Sequence, residues 1–360
     1  MSVEIGERVA GLLPPTHTQR EVALQIGMTP DAFSRALNGK RGFAAIELAK
    51  LADLLDADLH FLITGEANPR RVLAAARHTF DHSTKEHRLP AVEEDVPHLE
   101  TIVLAYEQVH GDCPASDVPA SLSAARAALG EEFVRTFADR LDGLGVDVVR
   151  LKELSAAYSM FIGDRAVIAL GATGSWFWEN WSLAHELGHL SYQAASMNSG
   201  GPADQHCTEP EANAFAAELL LPESVMRTVD WASITERELA EFVWDRGVST
   251  AALGRRLSAL RLAAAGHVSV WAGQPTQRLL RRHLPVPTDE DQITRRMDAA
   301  STRRFPLALQ DAHLGRIAAG SVRKDTLAWM LGVDPLTLEV DEPQPSVGLS
   351  ADELSEVLGL

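Results

Sequence analysis

The stretch LAHELGHLSY at residues 183–192 decides how the rest of the chain is interpreted. Its histidines, His185 and His189, are four residues apart, which on an α-helix puts both imidazoles on one face, one turn apart. Two such nitrogens can reach one zinc ion. The alternative is an ordinary buried helix, but two histidines and a glutamate are costly to bury without a task. The leucines and alanines of the stretch predict that the helix has a buried side.

Glu186 follows His185 directly and is turned about 100° from it around the helix. Its carboxylate is therefore a poor third ligand but is well placed to take a proton from a water molecule. The arrangement His-Glu-x-x-His is typical of zinc metalloproteases. We therefore predict Zn²⁺ as the cofactor, His185 and His189 as ligands and Glu186 as the catalytic base.

A catalytic zinc needs a third protein ligand. The expected source is CTEPEANAFAAELLLP at residues 207–222, which predicts a returning helix over 211–221. We predict Glu211 as the third ligand, although it also fits as an acidic residue favoured at a helix N-terminus. The alternatives for this position are Glu209, Glu218 and His206. Tyr192 and His206 are candidate donors to the oxyanion of a peptidase transition state.

Composition limits the class of protein. The chain has 360 residues, a formal charge of −17 and 46 % hydrophobic residues, as expected for two or three globular domains. Its apolar runs are too short to span a membrane, and its first residues lack the pattern of a signal peptide, so we expect a cytoplasmic protein with no membrane partner. Two cysteines, Cys113 and Cys207, argue against a disulfide framework or a thiolate zinc finger.

Strand-like segments precede the HELGH helix. VDVVRL at 146–151 and AVIALG at 166–171 predict strands, and 159–162 is a third candidate. A small sheet should therefore come before the helix. The aromatic run SWFWENW at 175–181 fits either core packing or a substrate groove.

The first 66 residues predict short helices joined by tight turns. Helices are expected over 19–26, 30–37 and 44–55, with Thr29 as an N-cap and Pro30 in the first turn of the second of these. Gly65 and Pro69 end the unit. This segment has six Lys and Arg against nine Asp and Glu, a net charge of −3.

HELGH followed by EANAFAAELLLP resembles the ImmA/IrrE family of zinc metallopeptidases, over residues 130–265. The resemblance implies a zincin-like domain, and it implies cleavage of helix-turn-helix repressors at phage, mobile-element or stress loci. It places the ligands on His185, His189 and most plausibly Glu211, and the base on Glu186. VSTAALGRRLSAL at 248–260 also resembles this family, and is interpreted as packing rather than as a DNA-reading helix.

Residues 4–66 resemble the Cro/repressor-type (XRE) helix-turn-helix, which implies a five-helix domain that binds double-stranded operator DNA. The helix from Thr29 should enter the major groove. Arg35 is the best base reader, because a guanidinium can bind guanine at two atoms. The negative charge predicts few phosphate contacts per monomer, so tight binding requires a homodimer; a protein-interaction role is the alternative. Contacts to bases are expected from Thr29, Asp31, Ala32 and Arg35, and contacts to phosphates from Gln19, Asn38, Lys40 and Arg41.

We therefore expect a mostly α protein with a small β-sheet (α+β). The predicted domains are a helix-turn-helix domain at 1–68, a helical connector at 69–130, a zinc metallopeptidase domain at 131–266 and a mostly helical region at 267–360. Within the last region, basic clusters at 276–304 are interpreted as a solvated surface, and 325–331 as a helix.

The function that unites these parts is a DNA-binding regulator with zinc-dependent endopeptidase activity. It would cleave a repressor, another regulatory protein such as a toxin, or itself, at a mobile-element, toxin–antitoxin or stress locus. The alternative is a non-proteolytic repressor or antitoxin whose zinc domain is a sensor or docking surface. An intact Glu186 favours the enzyme, because a structural zinc site does not need it.

Overall fold

The computed structural model describes residues 2–13, 18–55, 57, 59–65, 72–76, 79–80, 87–88, 92–198, 207–284, 291–341 and 343. The chain divides into two compact units, Met1–Arg71 and Val72–Leu360. It is mostly helical with a small sheet, which confirms the predicted α+β class. Within the described ranges, no helix has the length and apolar character needed to cross a bilayer.

The first unit is built from helices around a small apolar core in which Phe33, Leu51 and Leu62 are fully buried. Thr18 and Glu21 cap the second helix reciprocally, and the Thr29 hydroxyl accepts a hydrogen bond from the amide of Ala32 at the start of the third. Its described helices are α1 (Ser2–Leu12), α2 (Gln19–Gln25), α3 (Pro30–Leu37), α4 (Ala45–Leu55) and α5 (Leu59–Thr64).

The second unit combines strands with many short helices. Its strands are β1 (Val72–Ala76), β2 (Thr79–Phe80), β3 (His87–Arg88), β4 (Val146–Leu151), β5 (Tyr158–Ile162) and β6 (Arg165–Gly171). Its helices are α6 (Val92–Gln108), α7 (Leu122–Leu129), α8 (Phe137–Gly143), α9 (Trp176–Asn198), α10 (Glu209–Leu220), α11 (Glu223–Met226), α12 (Glu236–Asp245), α13 (Thr250–Ala259), α14 (Gly266–Ala272), α15 (Thr276–His283), α16 (Gln292–Ser301), α17 (Leu307–Ala318) and α18 (Asp325–Leu331).

The main sheet has the strand order β1-β5-β6-β4, as far as the chain is described. β4 runs parallel to β6, whereas β5 is antiparallel to both β6 and β1. Near the start of β5, Ser159 is paired with Ile168 of β6 on one side and with Ala75 of β1 on the other. The three strands expected from the sequence are confirmed.

Both faces of the sheet are covered. Because side chains alternate along a strand, successive residues of β4 and β6 enter opposite cores. Val148 and Ile168 face a core that includes the α9 residues Leu183 and Leu187. Val149 and Val167 face a second core with α6, α17 and α18. The sheet therefore forms the middle layer, with α9 against one face.

The connector predicted to be helical at 69–130 contains strands in its first part. Residues 72–76 form a strand, and residues 79–80 and 87–88 pair as a short ladder. The helical part of the connector begins with α6, which tolerates Pro97 inside it. The boundary between the two units, after Arg71, lies close to the predicted boundary at 68.

A buried ion pair ties α9 to the sheet. Arg150 of β4 donates to both carboxylate oxygens of Glu179 on α9, at 2.9 and 2.6 Å, and both side chains are buried. Its remaining nitrogen donates to the carbonyls of Ala299 and Thr302. Three elements therefore meet at one guanidinium, and each of its three nitrogens donates at least one hydrogen bond, as burial of a charged group requires.

The aromatic run before HELGH belongs to the core. Trp176 and Phe177 are buried and contact each other, and Trp176 also packs on Trp244 with ring centroids 5.1 Å apart. The guanidinium of Arg296 lies over Trp176, 4.6 Å from its centroid. The packing interpretation of 175–181 is therefore the one that the structure supports.

The basic clusters at 276–304 are exposed in part, as the solvated-surface interpretation expects, since Arg278, Arg281, Arg282 and Arg295 are exposed. Some of their arginines also form ion pairs within the fold. Arg281 pairs with Asp291, and Arg304 pairs with Asp139 and Asp142. Arg256, in the 248–260 segment, forms an ion pair with Glu218 and donates a hydrogen bond to the carbonyl of Leu221.

We expect Glu179→Ala to lower the free energy of unfolding by about 3–5 kcal/mol, because it leaves a buried guanidinium without its carboxylate. Glu241→Ala is the matched control: it breaks the exposed pair with Arg237 and should cost less than about 1 kcal/mol. Urea denaturation followed by tryptophan fluorescence measures both, since all seven tryptophans lie in the second unit. Equal losses would contradict the anchoring role of Arg150.

Candidate metal centre

α9 carries both histidines in its buried middle. His185 and His189 project one turn apart, and their Nε2 atoms lie 3.2 Å from each other. Both side chains are buried, as are Leu183 and Leu187 beside them. The helical spacing predicted from the sequence therefore brings the two imidazoles together.

The carboxylate that meets them comes from the first turn of α10. Glu209 Oε2 lies 3.3 Å from His185 Nε2, and Glu209 Oε1 lies 3.4 Å from His189 Nε2. Within the described ranges, these three residues are the group whose ligand atoms could hold one metal ion. Glu209 was an alternative in the sequence analysis, and the structure puts it in the place expected for Glu211.

Glu211 has a different task in the structure. Its carboxylate accepts hydrogen bonds from the amide and the hydroxyl of Thr208, at 2.8 and 2.7 Å, and so caps the start of α10. These bonds lower the pKa of Glu211. The pattern Thr-x-x-Glu at 208–211 is the sequence signature of a capping box. This signal assigns Glu211 to the helix cap and so leaves Glu209 as the candidate metal ligand.

The remaining candidates lie elsewhere. Glu218 forms ion pairs with Arg126 and Arg256, two turns along α10 from the site. Tyr192 is exposed on α9, and its assignment as an oxyanion donor stays a prediction. His206 is outside the described residues.

The spacing of the three residues suits a tetrahedral divalent ion. Zinc binds nitrogen and oxygen at about 2.0–2.1 Å, which puts neighbouring ligands of a tetrahedron about 3.3 Å apart. The two imidazole nitrogens lie 3.2 Å apart, and each has one oxygen of the Glu209 carboxylate at 3.3 or 3.4 Å, which is close to the separation that such an ion requires. The fourth corner of such a tetrahedron is left for a water or a substrate atom.

The electrostatics of the cluster also favour a cation. Burial lowers the pKa of His189, but hydrogen bonds with Cys207 and Glu209 outweigh it and raise that pKa to about 10. Burial raises the pKa of Glu209, but its hydrogen bonds with His185 and His189 prevail and hold it well below its ordinary value. Positive charge between these groups is therefore stabilised, whether a proton or a metal ion carries it.

Glu186 is positioned from the sheet. Its Oε2 accepts a hydrogen bond of 2.8 Å from the hydroxyl of Ser159 on β5, and both residues are buried. Ser159 is not among the site residues predicted from the sequence, because only the alternation of β5 and its packing against α9 place this hydroxyl on the same face as Glu186.

The predicted DNA-contacting residues lie on the first unit. Asp31, Ala32 and Arg35 lie on α3, whose N-cap is Thr29, and Arg35 is exposed. Gln19 begins α2 and is exposed. Three further residues follow α3: the Asn38 amide donates to the carbonyl of Ser34, Lys40 is exposed, and Arg41 donates to both oxygens of Glu47.

We expect Glu209→Gln to weaken metal binding at least about 10-fold, because it removes a charged ligand atom, and Glu211→Gln to leave it nearly unchanged. The two substitutions make the same change of charge two residues apart. Competition with a chromogenic chelator measures the dissociation constants. A larger effect of Glu211→Gln would restore the assignment made from the sequence.

Comparison with known families agrees with this geometry. Residues 141–258 match the model of the IrrE N-terminal-like domain, Peptidase_M78. No curated protein and no solved structure was found to match the chain. The matched segment contains β4 to β6, α9, α10 and all three metal-binding candidates. The second unit therefore carries a metallopeptidase-like region with a group suited to a divalent metal.

Proposed function

We propose that the chain is a zinc-dependent endopeptidase joined to a DNA-binding unit, and that it regulates transcription by cutting a protein. The observation that supports the peptidase most directly is the convergence of His185, His189 and Glu209 beside a buried carboxylate, Glu186. Two imidazoles and one carboxylate around an open fourth position are the donor set of catalytic zinc sites.

Each residue has a defined task in this proposal. His185, His189 and Glu209 hold the ion, which supplies Lewis-acid polarisation of the scissile carbonyl when bound. Glu186 takes a proton from the attacking water and delivers it to the leaving amine. Ser159 keeps the Glu186 carboxylate in place through its hydrogen bond, so that the base is oriented before substrate arrives.

We expect Glu186→Gln to lower kcat about 10²–10⁴-fold while metal content stays unchanged, because general acid–base catalysis contributes on that scale. Cleavage of an unfolded protein such as casein, together with metal analysis, checks both parts. Failure of the zinc-loaded wild-type chain to cut casein or any neighbouring gene product would favour the non-proteolytic regulator instead.

We expect Ser159→Ala to lower kcat about 10-fold, since a hydrogen bond to a charged group contributes about 1.5–3 kcal/mol. Loss of this donor raises the pKa of Glu186, so the acidic limb of the pH profile of kcat/KM should move to higher pH. Ser191→Ala is the control, because Ser191 is buried on α9, the helix that carries Glu186, and its hydroxyl has no hydrogen-bond partner within the described ranges. Equal pH profiles for the two variants would remove Ser159 from the mechanism.

The DNA-binding part of the proposal assigns the first unit to the Cro/repressor type. Its support is the succession of two capped helices, α2 and α3, joined by a turn at Gly27, which has a positive φ of 79°. α3 presents Arg35 on its exposed side. With a net charge of −3 over 66 residues, a homodimer is the form expected to bind an operator tightly.

We expect Arg35→Ala to weaken binding to the selected operator by about 1–3 kcal/mol and to relax its specificity. Arg41→Ala should have the smaller effect, because the guanidinium of Arg41 is already held by Glu47. Fluorescence anisotropy with an operator obtained by in vitro selection measures both. Loss of affinity for random and selected DNA alike would point to a phosphate contact at Arg35.

The proposed substrate is a regulatory protein: a repressor, a toxin or the chain itself. The cytoplasm is the compartment in which a DNA-bound peptidase would meet such a protein. Incubation of the purified chain with the products of adjacent genes, followed by mass spectrometry of the fragments, identifies the cleaved bond.

A further inference from the structure

β5 is the strand through which the sheet reaches the candidate catalytic base. The hydroxyl of Ser159, the second residue of β5, donates to Glu186. β6 pairs with one side of β5, and β1 covers the other side. Without β1, the backbone of β5 would be the exposed edge of the sheet next to the metal-binding residues.

β1 runs alongside this position. Its five residues pair antiparallel with β5 from Val72 opposite Ile162 to Ala76 opposite Tyr158, which puts Ala75 opposite Ser159. Directly opposed residues of an antiparallel pair have Cα atoms about 4.5–5.5 Å apart. The backbone of β1 therefore passes one strand width from the residue that holds the base.

The far edge of the sheet is closed in a different way. The backbone of Arg150 on β4 exchanges two hydrogen bonds with Arg304, at 2.9 and 3.0 Å. That contact is reinforced by the ion pair of Arg150 with Glu179. The β4 edge is thus held by the fold, whereas the β5 edge is covered by a short strand of sequence VLAAA. Alanine is depleted in strands, so β1 has little intrinsic preference for this conformation.

We propose that β1 occupies the edge where an extended peptide substrate docks, and that the chain thereby holds its own peptidase closed. This inference rests on the proposed peptidase function. An extended peptide adds to an exposed sheet edge through main-chain hydrogen bonds. An antiparallel peptide with small apolar side chains is the class of substrate that the β1 segment imitates. Because β1 is tethered, it competes at a high effective concentration until it is displaced.

The test measures access to the edge separately from cleavage. The probe is a fluorescein-labelled peptide with the sequence of residues 71–77, RVLAAAR. It is titrated into the zinc-loaded full-length chain carrying Glu186→Gln, so that cleavage of the peptide is too slow to disturb the titration. The double variant Leu73→Pro with Ala74→Pro, called the proline pair, prevents β1 from pairing with β5. Successive residues of a strand point their N–H groups to opposite sides, so one of the two prolines always removes an N–H that faces β5. The double variant Leu73→Val with Ala74→Val, called the valine pair, is the matched control, since it keeps both N–H groups and favours a strand.

We expect the proline pair to bind the peptide at least about 10-fold more tightly than the valine pair. In the valine pair β1 covers β5 in most molecules, whereas in the proline pair the edge of β5 is free to bind the peptide in most molecules. Amide hydrogen exchange over 158–162 should rise in the proline pair and fall again when the peptide binds. Equal affinity in the two variants, or binding without renewed protection of 158–162, would overturn the proposal. If the prolines reduce folding, replacement of 72–76 by five Gly and Ser residues gives the same comparison.

Cleavage assays with Glu186 intact separate this inference from the function it rests on. In an active peptidase, the proline pair should lower the KM for casein and leave kcat nearly unchanged, because only the competition by β1 is removed. Tight peptide binding without any cleavage would keep the docking edge and reject the peptidase. Cleavage with the same KM in both variants would keep the peptidase and reject the role of β1.

Discussion

The metal-binding geometry depends on how closely α10 packs against α9. The two imidazoles are fixed by one helix, but Glu209 arrives from the next, so the helix-to-helix distance decides whether three ligand atoms converge. Gly188 lies on α9 between the two histidines, and a Cβ atom there would lie 3.1 Å from the Cβ of Phe215 on α10. A larger residue at this position would push α10 outward together with its carboxylate.

α9 is held in turn by polar contacts with its neighbours. Glu179 binds Arg150 on the sheet, the Asn180 amide donates to the carbonyl of Gly247 at 3.0 Å, and Glu186 accepts from Ser159. Buried polar groups are tolerated when their partners are present, and such networks fix one arrangement of the helix. The candidate base is therefore oriented by β5, the strand with which β1 pairs at the edge of the sheet.

Much of this architecture could be predicted from the sequence, because the informative signals are local. The four-residue spacing of His185 and His189, the apolar runs of β4 and β6, and the caps at Thr29 and Pro30 each act within one element. Glu209 was not preferred over Glu211, although the capping box at Thr208 was visible in the sequence. β1 could not be predicted, since VLAAA suits a helix as well and only pairing with β5, far along the chain, makes it a strand.

The zinc K-edge X-ray absorption spectrum of the zinc-loaded, full-length chain tests the metal site most directly. Two imidazoles and one carboxylate predict a shell of nitrogen and oxygen atoms only, at about 2.0–2.1 Å, with the scattering pattern of two imidazole rings. A sulfur atom at about 2.3 Å, from a ligating Cys207, or the signature of a single imidazole would contradict the assignment of His185, His189 and Glu209.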